Sequence, residues 1–243
     1  MIHEAPGQTQ LLAIWEDGAG KRAGTRAIAL LGGALPGLTD DDLAALPIGR
    51  RDAALLELRE RLFGSRFTGV TTCPSCFEEL EVAFEAAELR RELPQTECAS
   101  LRVEEVEIEL RLPTGADLIA IETAPDVDAA REMLVSRCLV RATRDARPVS
   151  VGELPADVID QSVLRLRELD PQADVSLDVH CPACGEAWRE PFDIASYLWG
   201  ELSTWARRLL GEVHQLALAY GWSERDILSL TPVRRNAYLA CLQ

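Results

Sequence analysis

Cys73-Pro74-Ser75-Cys76 and Cys181-Pro182-Ala183-Cys184 are the two stretches from which the rest of the chain is read. A Cys-x-x-Cys turn sets two sulfurs on one side of a short loop, so two such turns brought together offer four thiolates in the tetrahedron that structural zinc prefers. The expectation is a single Zn2+ held by Cys73, Cys76, Cys181 and Cys184, clipping together parts of the chain 108 residues apart. Four sulfurs leave no open coordination position for water, which makes such a metal structural and not catalytic. One Cys-Pro-x-Cys alone would equally suit a redox pair, and the other readings of the four thiols are reduced, packed sulfurs or a disulfide.

The two stretches match beyond their cysteines. At the same offset Glu78 aligns with Glu186, Leu80 with Trp188, Phe84 with Phe192, Glu85 with Asp193 and Ala87 with Ala195. Strand-like runs precede both turns, Phe67 to Thr72 and Val175 to His180, and an amphipathic helix precedes each run. The pattern predicts a helix, strand, knuckle, strand, helix unit written twice, whose copies pair so that two half-sites make one site. His180 adjoins Cys181, but alternation along a strand turns it away from that neighbour, and it is not counted as a ligand.

Composition narrows the function. The chain has 243 residues, 47% of them apolar, enough for a substantial core. It shows no run of apolar residues long enough to span a bilayer and no charged-then-apolar signal at its start, so a soluble, cytoplasmic protein is expected. Seven cysteines, three of them scattered (Cys98, Cys138 and Cys241), fit a reducing compartment better than a disulfide framework. A net charge of −15 argues against nucleic acid, the commonest partner of a zinc ribbon, because phosphate binding needs a basic face. From Glu78 to Asp128 there are 15 acidic residues against 4 arginines, whereas Asp193 to Gln243 carries 5 of each sign.

Along the chain, Met1 to Gly7 reads as a loose leader. Apolar spacing predicts short helices over Gln8 to Trp15 and Lys21 to Leu35, interrupted at Asp17-Gly18 and Gly32-Gly33, and Thr39 caps another that ends near Pro47. A clearer amphipathic helix runs from Asp52 to Phe63, with Gly64 ending it. After the first knuckle, Glu85 to Arg91 turns helical, Leu101 to Leu112 alternates as a hairpin, and Thr114 starts a helix through Ile121. Asp126 to Arg141 is read as a helix, Arg144 to Gly152 as a linker, and Pro155 to Leu169 as the helix of the second copy. Ile194 to Tyr220 is the most hydrophobic helix, Gly221 ends it, and helices starting at Ser223 and Thr231-Pro232 fold back as a hairpin. Trp199 and Trp205, six residues apart on that helix, face different ways, which leaves one of them for a partner.

No phosphate-binding glycine loop, nucleophile elbow or His-Glu-x-x-His occurs, and His3, His180 and His214 stand apart from any recognisable nucleophile. An enzyme is therefore not expected.

A resemblance is carried by Cys181-Pro182-Ala183-Cys184-Gly185, Pro191 to Ala195, Leu198 to Leu202, Trp205-Ala206, Glu212-Val213-His214 and Ala219 to Glu224. Leu46 to Asp52 and Arg111 to Leu118 add to it. These segments resemble the baseplate protein family of T-even-type phages and related injection systems, often described as hub assembly chaperones. The resemblance implies a non-enzymatic baseplate component or assembly chaperone whose partners are baseplate, hub or spike proteins, and it brings no catalytic residues. The alternative function is a zinc-ribbon module bound to nucleic acid or transcription machinery.

The expected fold is α+β: a mainly helical body, a small antiparallel zinc-ribbon-like module built from the two knuckles, and a C-terminal helical hairpin. Residues 1–66 form the N-terminal helical segment, 67–192 the bipartite knuckle region with inserted helices, and 193–243 the C-terminal helices, in one interwoven domain.

Overall fold

The computed structural model describes residues 6–35 and 37–242. Most of the expected leader, including His3, lies outside them. Four helices open the chain: α1 (Gln8–Gly18), α2 (Ala23–Ala34), α3 (Asp40–Ala44) and α4 (Ile48–Phe63). The Thr39 hydroxyl accepts from the Asp42 N–H and caps α3. Strands β1 (Arg66–Thr72) and β2 (Glu79–Glu85) make the first hairpin, followed by one turn of helix, α5 (Ala86–Leu89). Next come β3 (Cys98–Val103), β4 (Val106–Arg111), α6 (Gly115–Ile121), α7 (Val127–Cys138), β5 (Leu139–Arg144), β6 (Arg147–Pro148) and α8 (Ala156–Leu169). The second hairpin, β7 (Ser176–His180) and β8 (Ala187–Pro191), leads into α9 (Ile194–Tyr220), which α10 (Glu224–Leu228) and α11 (Pro232–Ala240) fold back upon. The architecture is α+β, with two separate two-stranded hairpins and a four-stranded antiparallel sheet ordered β3-β4-β5-β6.

Three sequence expectations need correction. Gly32-Gly33 does not interrupt α2, because the absent side chain at Gly33 is what lets Ile14 of α1 approach: a Cβ there would collide with it. The helix expected from Asp126 to Arg141 stops at Cys138, since the open edge of β4 takes Leu139 to Arg144 as a strand and tertiary pairing overrides local helical spacing. Arg144 to Gly152 is accordingly no linker. Asp145 and Ala146, both in the left-handed region (φ 50° and 61°), turn the chain into β6, and Val149 bonds back to the Ala142 carbonyl.

The main core lies where α1, α2, α4 and the first turns of α9 meet the bases of both hairpins, and includes Leu30, Leu31, Leu55, Leu56, Phe67, Leu89, Leu198 and Leu202. Each such side chain contributes roughly 1.5–3 kcal/mol by leaving water. A second core under the four-stranded sheet joins Ile108 and Leu110 to Val135 of α7 and Val158 and Leu166 of α8. At the far end of α9, Val213 and Leu216 pack on Ile227, with Tyr220 stacked on Trp222 alongside and Tyr238 edge-on to both.

Arg59 fastens α4, the first hairpin and α9 together. Buried in α4, it donates two bonds to the Glu201 carboxylate (2.8 and 2.7 Å) and one each to the carbonyls of Gly64 and Arg66 (both 2.7 Å), while its guanidinium lies 3.8 Å over the Phe67 ring. Across the pseudo-repeat, Phe84 and its counterpart Phe192 meet edge to face at 5.5 Å.

Candidate metal centre

Both cysteine turns are built alike. The Cys73 N–H donates to the Glu78 carbonyl (2.9 Å) and the Cys181 N–H to that of Glu186 (2.8 Å). The N–H of Phe77 bonds the Cys73 carbonyl at 3.0 Å, as that of Gly185 bonds the Cys181 carbonyl at 2.9 Å. Phe77 and Gly185 hold the same left-handed conformation, φ 63° and 79°. The two turns thereby aim their sulfurs in equivalent directions from the tips of two hairpins.

Those tips meet. The sulfurs of Cys73, Cys76, Cys181 and Cys184 all lie within 4.8 Å of one another. Two separations cross between the copies at short range: Cys73 to Cys184 and Cys76 to Cys181 are both 3.6 Å. Tetrahedral zinc with Zn–S bonds of about 2.3 Å requires sulfur–sulfur edges of about 3.8 Å, so the arrangement fits one such ion with little adjustment. The first cysteine of each turn is buried and the second exposed. Leu80, Val179 and the half-buried Trp188 pack beside the buried pair, and the Glu190 carboxylate accepts from both Trp188 Nε1 (2.9 Å) and Thr71 Oγ1 (3.0 Å), bridging the two hairpins.

Electrostatics within the cluster are uneven. Desolvation opposes ionisation of Cys73, but the backbone N–H groups of Cys76 and Ser75, together with the thiols of Cys76 and Cys184, outweigh it and bring that thiol down to about 7. At Cys76 the Glu78 N–H favours the thiolate, yet desolvation and the three neighbouring sulfurs prevail and push it up to about 12. Cys184 is raised as well. Four sulfurs this close cannot all carry charge unless a cation shares their centre. His180 and the other three cysteines are not part of the cluster.

A second polar node was not legible as such. Leu46 to Asp52 and Arg111 to Leu118 run together: Pro47 and Thr114 form an antiparallel bridge, the Ile48 N–H donates to the Pro113 carbonyl (3.0 Å) and the Gly115 N–H to that of Leu46 (3.2 Å). Beneath them the fully buried Asp117 carboxylate accepts from Arg111 (2.6 and 3.0 Å), from Arg137 (2.8 Å) and from the N–H and hydroxyl of Thr114 (2.9 and 3.0 Å). Burial disfavours that charge, but these partners win and hold the carboxyl well below the usual carboxylate range. Nearby, buried Asp170 caps α4 from afar, accepting from the Gly49 N–H (2.8 Å).

Trp199 and Trp205 are both half-buried against the main core; Gly18 lies beneath the Trp199 ring with Arg26 5.0 Å over it, while Trp205 lines a surface groove with Thr204 and Arg208. Among the described residues no helix is long and apolar enough to cross a membrane.

No curated protein and no solved structure matches the chain. The family model described as T4 bacteriophage base plate protein matches residues 34–199, a span that takes in both cysteine turns and both halves of the Asp117 node. A match over more than half of its length, on the elements that carry the fold, places this chain in the T4 bacteriophage base plate protein family.

Proposed function

We propose that the protein is a non-enzymatic component or assembly chaperone of the baseplate of a contractile tail or related injection particle, acting by binding neighbouring baseplate, hub or spike proteins. The observation that carries this reading is the family match over residues 34–199. In this reading Cys73, Cys76, Cys181 and Cys184 together hold one structural Zn2+. The cross-copy sulfur spacings of 3.6 Å support that role. When bound, the metal supplies a cross-link between the hairpins and neutralises their thiolates. The protein's own part is to fix the two turns by their matched backbone bonds, shield the inner sulfurs behind Leu80 and Val179, and present a rigid surface to a partner.

The test is genetic and structural. Deleting the gene from a host that makes the particle should leave tails without assembled baseplates by electron microscopy, and the tagged protein should retain a purified baseplate, hub or spike protein at micromolar concentration. Normal sheathed particles in the deletion strain, with no tail protein retained, would refute the proposal.

A further inference from the structure

The two copies of the hairpin differ in one respect that points to a partner. In the second copy Glu190 bridges Trp188 and Thr71 and Asp178 faces Arg189 at 3.7 Å, which leaves Glu186 as the one exposed carboxylate there with no ion pair among the described residues. In the first, Glu78, Glu79 and Glu81 are exposed and form no ion pair among the described residues. They line a groove whose floor is Leu80 and Val82 and whose far wall is His180, Pro182 and Ala183 of the second turn.

The strand beside that groove has an open edge. Cys73 bonds Glu78 and Ala86 bonds Ser65, which fixes the parity of the hairpin ladder. Residues 67, 69 and 71 form the hydrogen-bonded pairs, so the N–H and C=O groups of Glu79, Glu81 and Ala83 point outward from β2. On β1 the corresponding groups of Thr68 are already satisfied by the Tyr197 hydroxyl, at 3.1 and 2.8 Å.

Phe77 supplies the third observation. It sits immediately before Glu78, is 78% exposed, and occupies a left-handed conformation that its counterpart Gly185 adopts without penalty. A phenylalanine there gains little burial and strains the backbone, a combination characteristic of residues kept for contact with something else.

We infer that the first knuckle and the open edge of β2 form a docking surface for an extended, basic segment of a partner protein, which adds as a strand to β2, sets its cations against Glu78, Glu79 and Glu81, and covers Phe77. Main-chain bonds to the edge give affinity, and the carboxylates select the sign of the partner's charge. This deepens the reading of the protein as a binding component and rests on it. The probe contains no tail protein, so its failure is separable from failure of the baseplate assignment.

The experiment measures fluorescence anisotropy of a labelled ten-residue peptide of alternating arginine and valine against the full-length protein at low salt. Its controls are the alternating glutamate–valine peptide and an arginine–valine peptide N-methylated at every second residue. The arginine–valine peptide should bind, and each control should bind at least about tenfold more weakly. The double substitution Glu79→Lys with Glu81→Lys should cost at least about tenfold, and Phe77→Gly about fivefold or more while leaving thermal stability equal or higher. Glu186→Lys, at the second copy's counterpart of Glu78 and outside the groove, should leave affinity unaltered. Absence of binding, equal binding of the N-methylated peptide, or indifference to both the lysine pair and Phe77→Gly would overturn the inference.

Discussion

The sulfurs of Cys73 and Cys184 lie 3.6 Å apart although 111 residues separate them in the chain. Nothing local holds them there; each is delivered by its own hairpin, and at the tips the hairpins meet around these sulfurs beside Leu80, Val179 and Trp188. Replacing either buried cysteine of the cluster, Cys73→Ser or Cys181→Ser, should therefore destabilise the protein by several kcal/mol in denaturant unfolding, and a strong chelator should do the same to the wild type. Cys98→Ser and Cys241→Ser, both exposed and outside the cluster, should change stability by less than about 0.5 kcal/mol.

Arg59 and Glu201 set a second expectation. The pair is mostly buried, and its guanidinium also satisfies two backbone carbonyls. Arg59→Ala strands Glu201 and both carbonyls, so a loss of about 3–5 kcal/mol is expected by chemical denaturation. Arg59→Lys should recover little, because an ammonium cannot reproduce the planar, four-bond fork.

Two buried carboxyls give opposite pH dependences. Burial lifts Asp52 to about 6 despite the adjoining Arg51, with Asp193 and Asp170 adding to the rise. A carboxyl raised on folding stabilises the native state while protonated. Its contribution is full below the unfolded value near 3.8 and is lost as pH climbs through about 6. Asp117 is depressed on folding, so its contribution is present above the unfolded value and is lost as pH falls toward the folded one. Stability curves of Asp52→Asn against wild type should diverge between about pH 4 and 6, the variant gaining on the order of 2–3 kcal/mol relative to wild type at the upper end. Asp117→Asn should show its deficit at neutral pH and approach wild type in acid.

Much of this fold could be read from the chain because its signals are local. Thr39, Asp193, Ser223 and Thr231 cap helices three or fewer residues away, Gly221 takes the left-handed turn after α9, and Phe67 to Thr72 alternates as a half-buried strand does. The four cysteines were legible for a different reason: the spacing within each turn and the repeat between turns make one pattern. What escaped is held by partners distant in sequence. Leu139 to Arg144 is a strand only because β4 offers an edge, and Arg59 reads as an ordinary amphipathic-helix residue until Glu201, 142 positions away, is beside it. Asp117 shows in sequence as a helix-start acid, and only the approach of Arg137 makes it the centre of an ion network.

Residues 1–66, 67–192 and 193–243 are proposed to fold as one interwoven unit, since the main core draws on all three segments. Unfolding followed by tryptophan fluorescence, which reports Trp199 and Trp205, and by far-ultraviolet circular dichroism should give coincident single transitions. Gly49→Ala, which would drive a Cβ into the buried Asp170 carboxylate, should lower that shared midpoint, with a cost of about 1–3 kcal/mol. Two separated transitions would show that the segments are independent.

The most direct measurement is metal content by plasma mass spectrometry on protein purified without chelator, beside the double variant Cys73→Ser with Cys181→Ser. One zinc per chain in the wild type and none in the variant is the predicted result. A metal-free wild type with all seven thiols open to titration, or a variant that keeps its zinc, would contradict the idea that one ion joins the two hairpins.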